Sequence, residues 1–130
     1  MAKYVYTALL TPAEEGGYLV NFPALEECFT DGDDLPEALA NAEDALSLML
    51  YTLEEKGMPA PISGTVNADT PKDGFATLIR CDTNEYRRMY ENKAVKKTLT
   101  IPAWLNTTAE RAGVNFSQIL QEALTERLGL

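Results

Sequence analysis

The stretch Lys96-Lys97-Thr98-Leu99-Thr100-Ile101-Pro102, with the two helical patterns that follow it to Leu130, constrains this chain most. It alternates with the period of a strand: Leu99 and Ile101 point to one face, and Lys96, Thr98 and Thr100 to the other. Pro102 suits a first helical turn, where its missing N–H is not needed. The helix it opens carries Trp104, Leu105, Ala109 and Ala112 before Gly113, a residue suited to a left-handed cap. Asn115 is placed to cap a second helix with Phe116, Ile119, Leu120, Ala123, Leu124 and Leu128 near one side. Such a unit is too small for a core of its own, since chains below about 40 residues usually need disulfides, metals or oligomerisation. Its lone strand also leaves an unpaired edge. Two copies that pair these strands antiparallel and interleave four helices meet both demands.

The preceding residues have a different balance. Residues 1–94 hold 17 Asp or Glu against 7 Lys or Arg, whereas residues 95–130 hold 3 against 4, within a net charge of −9. An acidic block joined to a near-neutral end suggests separate tasks: attraction of a basic protein, and a few local phosphate contacts. The chain has no histidine, which excludes Ser–His–Asp and Cys–His nucleophiles, histidine bases and histidine-ligated zinc. Cys28 and Cys81 both fall in apparent strands without neighbours at metal-ligand spacing, so reduced core thiols are expected. No basic region followed by an apolar core opens the chain, and a cytoplasmic protein with no membrane association is expected.

In order, Tyr4–Thr11 reads as a strand, Pro12–Gly17 as a turn, and Tyr18–Phe22 as the returning strand of a hairpin. A third short strand is expected around Cys28-Phe29-Thr30. Asp34 is an N-cap candidate with Glu37 three residues on and Pro36 in the tolerated first turn. Leu35, Ala38, Leu39, Ala42, Ala45, Leu46, Met49, Leu50 and Leu53 then recur at helical spacing, on a helix that fades at Glu54–Gly57. Met58–Gly74, with three prolines, reads as a loop. Phe75–Cys81 reads as a fourth strand, and Asn84–Asn92 as a short polar helix or linker.

Two resemblances follow. Residues 95–130 resemble a ribbon-helix-helix DNA-binding domain, a dimer that reads the major groove with paired strands. The hairpin Gly16–Leu25, then Cys28-Phe29-Thr30-Asp31-Gly32-Asp33, then Glu37-Ala38-Leu39-Ala40-Asn41-Ala42 are similar as a block to the HicB antitoxin family, with Glu26-Glu27 where that pattern has Pro-Gly. The resemblance covers about residues 3–85. It implies an α+β chain: a partial RNase H-like domain of order β-β-β-α-β at 1–82, a short helix or linker at 83–94, and a β-α-α dimerisation domain at 95–130. It further implies a type II antitoxin that covers the active site of a basic, mRNA-cleaving toxin of the HicA type and binds operator DNA to repress its own promoter. The expected assembly is a homodimer through residues 95–130, with pairing of dimers into tetramers left open. The competing class is a stand-alone ribbon-helix-helix repressor whose acidic domain binds a ligand or partner.

The ribbon reading makes Lys96, Thr98 and Thr100 base and phosphate readers, because lysine reaches guanine acceptors and threonine offers a hydroxyl or touches a thymine methyl. Lys97 shares a face with Leu99 and would snorkel outward. Asn115 and Ser117 open a helix whose N-terminus suits a phosphate. Toxin contacts are expected among Glu14, Glu15, Glu26, Glu27, Glu43 and Asp44. Asp31, Asp33 and Asp34 suit Mg²⁺ or Ca²⁺ in number, yet a turn followed by an N-cap needs the same residues, so no metal or other cofactor is expected. The strands read at 4–11, 18–22 and 75–81 contain no Asp or Glu. Two-metal nuclease chemistry, which needs clustered carboxylates, is therefore set aside, and no catalytic residue is expected.

Overall fold

The computed structural model describes residues 2–62 and 69–130. It runs β1 (Lys3–Pro12), β2 (Tyr18–Phe22), β3 (Leu25–Gly32), α1 (Leu35–Glu55), β4 (Phe75–Asp82), α2 (Thr83–Tyr90), α3 (Ala103–Arg111) and α4 (Phe116–Leu128). The centre of the loop expected over Met58–Gly74, residues 63–68, lies outside the described residues. Two compact units divide the chain, Met1–Lys93 and Ala94–Leu130.

The first unit is a four-stranded antiparallel sheet of order β3-β2-β1-β4 with α1 across one face. Alternation builds that face: Tyr6, Ala8 and Leu10 of β1, Val20 and Phe22 of β2, Cys28 of β3, and Ile79 and Cys81 of β4 are buried. From α1 the buried Ala38, Ala42, Leu46 and Leu50, four residues apart, form the opposing ridge. Asp34 Oδ1 accepts the Glu37 N–H at 2.9 Å and so caps α1. At the turn between β1 and β2, Gly17 (φ 77°) would carry a Cβ 2.3 Å from the Gly32 carbonyl oxygen, so the approach of the hairpin to the end of β3 requires glycine there.

Two elements differ from expectation. β3 is eight residues long, against the short strand expected around Cys28-Phe29-Thr30, and incorporates Glu26 and Glu27; at a sheet edge their side chains reach water. The helix over Thr83–Tyr90 is not a loose connector: it is docked on α1. Thr83 Oγ1 accepts the Ala2 N–H at 2.9 Å and donates to Glu54 Oε2 at 2.9 Å, and Tyr4 Oη donates to the same carboxylate at 2.9 Å. Arg87 Nη2 meets Glu54 Oε1 at 3.1 Å, Nη1 bonds Glu55, and the guanidinium lies 4.7 Å from the Tyr51 ring centroid. Burial alone would push the Glu54 carboxyl up, but hydrogen bonds, those of Thr83, Tyr4 and Arg87 among them, outweigh it and hold the group below its ordinary value.

A carboxylate with a depressed folded value stabilises the fold above its ordinary titration and loses that contribution as pH falls through the folded value. Glu54→Gln is therefore expected to cost about 1–3 kcal/mol at pH 7. Its stability should also fall less steeply than the parent's below pH 4.5. Urea denaturation midpoints of both proteins between pH 7 and 3 check this; parallel pH profiles would contradict it.

Candidate binding surfaces

The six acidic residues expected at a partner surface do not come together. Glu14 and Glu15 lie in the turn between β1 and β2 and line, with Asp31 and Asp33, a cleft of about 420 Å³. Glu43 and Asp44, on α1, line a smaller cleft of about 230 Å³ with Asp82 and Glu85 and the rings of Tyr86 and Tyr90. Glu26 and Glu27 project from β3, and Glu27 borders a third hollow, of about 480 Å³, between β3 and α1. That hollow contains large apolar side chains absent from the expected set. Phe29, Leu48 and Met58 are 71%, 51% and 53% exposed. The signal for them was a break in periodicity: Leu48 stands two residues from Leu46 and Leu50 on the opposite side of α1, and Phe29 points away from the face that buries Cys28.

Of the three aspartates read as a turn and cap, Asp31 instead lies within β3, paired with Leu19; Asp33 follows the strand and Asp34 caps α1. Among the described residues no three His, Cys, Asp or Glu side chains are grouped to hold a metal ion. Cys28 and Cys81 are buried free thiols, and burial pushes Cys28 up to about 11. Among the described residues, no helix is long and apolar enough to cross a membrane.

In the second unit, Lys96, Lys97, Thr98 and Thr100 are all exposed. Residues 91–102 form no strand within a single chain, so the stretch read as a strand is unpaired here; α3 begins at Ala103, with Pro102 as its cap residue rather than inside the first turn. Gly113, at φ 69°, turns the chain after α3. Asn115 Oδ1 accepts the Gln118 N–H at 3.1 Å, and Ser117 lies exposed in the first turn of α4. No residue of this unit is buried; Asn106, Ala109, Val114 and Leu120 are half-buried, while Leu99, Ile101, Trp104, Leu105, Phe116 and Ile119 are exposed.

The family described as HicB-like antitoxin of bacterial toxin–antitoxin system matches residues 6–124, across both units. The chain belongs to this family. It is a family of antitoxins and not of enzymes. A 14.9 kDa protein encoded between rep and hol in Haemophilus phage HP1 is 36% identical to this HicB-like chain over 93 residues, 68% of this chain and 67% of that protein. Antitoxin HicB of Escherichia coli K12 is 49% identical over 58 residues, 43% of this chain and 42% of that antitoxin, so the match spans less than half of that relative. A chain of the toxin–antitoxin complex from Streptococcus pneumoniae is similar over 97% of this chain and 99% of its own length, at 26% identity and a TM-score of 0.58.

The local role of Asn115 is separable from its charge environment. Asn115→Ala is expected to cost about 1 kcal/mol through loss of the cap, whereas Asn115→Asp, which keeps an acceptor at the helix N-terminus, should retain the parent thermal midpoint. Thermal denaturation of the two variants side by side checks both.

Proposed function

We propose that this chain is the antitoxin partner of a basic, RNA-cleaving toxin of the HicA type in the cytoplasm, and that it also represses its own promoter as a ribbon-helix-helix dimer. The first unit, with its surplus of 17 acidic over 7 basic residues through residue 94, covers the toxin. Residues 95–130 dimerise and bind operator DNA. The observation that carries the first half is family membership, supported by the likeness across nearly the full length to a chain of a toxin–antitoxin complex.

The second half is supported by a unit of two helices, the second capped by Asn115, without one buried residue. Its apolar side chains require a second surface, and a copy of the same unit supplies one that pairs the strands and shelters Leu99 and Ile101. Once the strands pair, Lys96, Thr98 and Thr100 share the outer face of the ribbon, and Lys97 reaches for the backbone. The first turn of α4, at Asn115 and Ser117, offers N–H groups to a phosphate. Among the acidic residues, Glu14, Glu15, Glu26, Glu27, Glu43 and Asp44 steer association with the toxin.

The full-length chain, titrated into an RNA cleavage assay containing the protein encoded by the adjacent short reading frame, should abolish cleavage at equimolar ratio. Persistent cleavage, with promoter DNA still bound, would leave a stand-alone repressor. In a mobility-shift assay Lys96→Ala should weaken operator binding and lower the salt slope by about 1. Thr98→Ala and Thr100→Ala should change base preference instead. Leu99→Glu should dissociate the dimer in analytical ultracentrifugation and lose DNA binding with it. If all three outer-face substitutions bind operator as the parent does, the ribbon is not the reading element.

A further inference from the structure

The hollow between β3 and α1 differs from the other two clefts in what surrounds it. Its walls are Phe29, Ala45, Leu48, Met49, Leu53 and Met58, and it is about 480 Å³ against about 230 Å³ for the cleft between α1 and α2. Carboxylates in the other clefts are well served by water. Three large apolar side chains more than half exposed around one groove are not, and contiguous apolar surface rimmed by charge marks a contact site. β3 is also an edge strand, paired only with β2 among the described residues.

Charge selects the occupant. Glu27 lines the groove, Glu26 and Asp31 are exposed elsewhere along β3, and among the described residues Lys56 is the one basic side chain in the lining. A second copy laid edge to edge would set that acidic row against itself, and like charges directly opposed across strands are destabilising. A basic partner instead finds compensation along the rim and apolar contact at the centre, the arrangement of a desolvated hot spot with a steering border.

We infer that the groove between β3 and α1 is where the basic toxin docks, seating apolar side chains on Phe29, Leu48 and Met58 and a cation against Glu27. This rests on the toxin-binding reading of the first unit. It narrows six scattered acidic candidates to one surface and adds the apolar residues that supply affinity there.

The test measures the affinity of the full-length chain for the protein encoded by the adjacent short reading frame, by calorimetry in about 0.3 M salt, where distant charges are screened. Leu48→Arg and Met58→Arg, both at exposed positions, should each weaken binding about tenfold or more. Glu27→Lys should slow association, with an effect that shrinks as salt rises. The variant Glu85→Lys, in the cleft between α1 and α2, should stay within about twofold of the parent, as expected for a charge off the contact surface. Thermal midpoints and operator shifts establish that each variant is folded. Parent-like binding by both arginine variants overturns the groove and leaves the antitoxin reading intact, as does an equal loss in the Glu85→Lys control. Failure of the parent chain itself to bind overturns both.

Discussion

Glu54 is the point at which the first unit closes. Its carboxylate receives Tyr4 from β1, Thr83 from the start of α2 and Arg87 from the middle of that helix, so one side chain at the end of α1 ties three elements together. A carboxylate this well covered is costly unless its lone pairs are filled with good geometry, and here they are. Tyr4 registers the other side of the same interaction: burial first, and then the adjacent Glu54, push its hydroxyl up to about 12. Without these bonds α2 would have little reason to fold, because eight residues is shorter than any helix stable alone in water.

The second unit obeys a different rule. It forms two helices of nine and thirteen residues, yet none of its residues is buried. The Asn115 cap fixes where α4 starts and contributes about 1 kcal/mol, but cannot substitute for a core. One chain thus joins a unit with a buried core of its own to a unit with no buried residue.

What was legible in the sequence follows the same division between local and distant causes. The β1–β2 hairpin, β4 and α1 with its Asp34 cap could be read because alternation, helical spacing and capping are properties of neighbouring residues. β3 was underestimated because adjacent acids such as Glu26 and Glu27 are poor strand formers, and only the topology reveals that they stand on an edge where acids are tolerated. Docking of α2 depends on partners more than thirty residues away, such as Glu54 for Arg87, which no local pattern contains. The stretch 96–102 has a strand's alternation, but a strand is a relation between chains as much as a property of one. Acidic positions could be identified individually, and their division among three separate surfaces could not.

Exceptions to periodicity carried more about binding than the matches did. The residues that fit the helical period, Ala38, Ala42, Leu46 and Leu50, are spent on the core. Leu48 and Phe29 break the period, and each emerges beside the same groove. An apolar residue on a solvated face gains nothing from folding, since its surface stays wet in both states. Its area is recovered only when something covers it. On a unit whose charge is strongly one-signed, the covering surface must also be of the opposite sign, because equal charges brought into a low-dielectric contact repel far more than they do in water. Apolar exposure therefore marks where contact occurs, and charge decides with what.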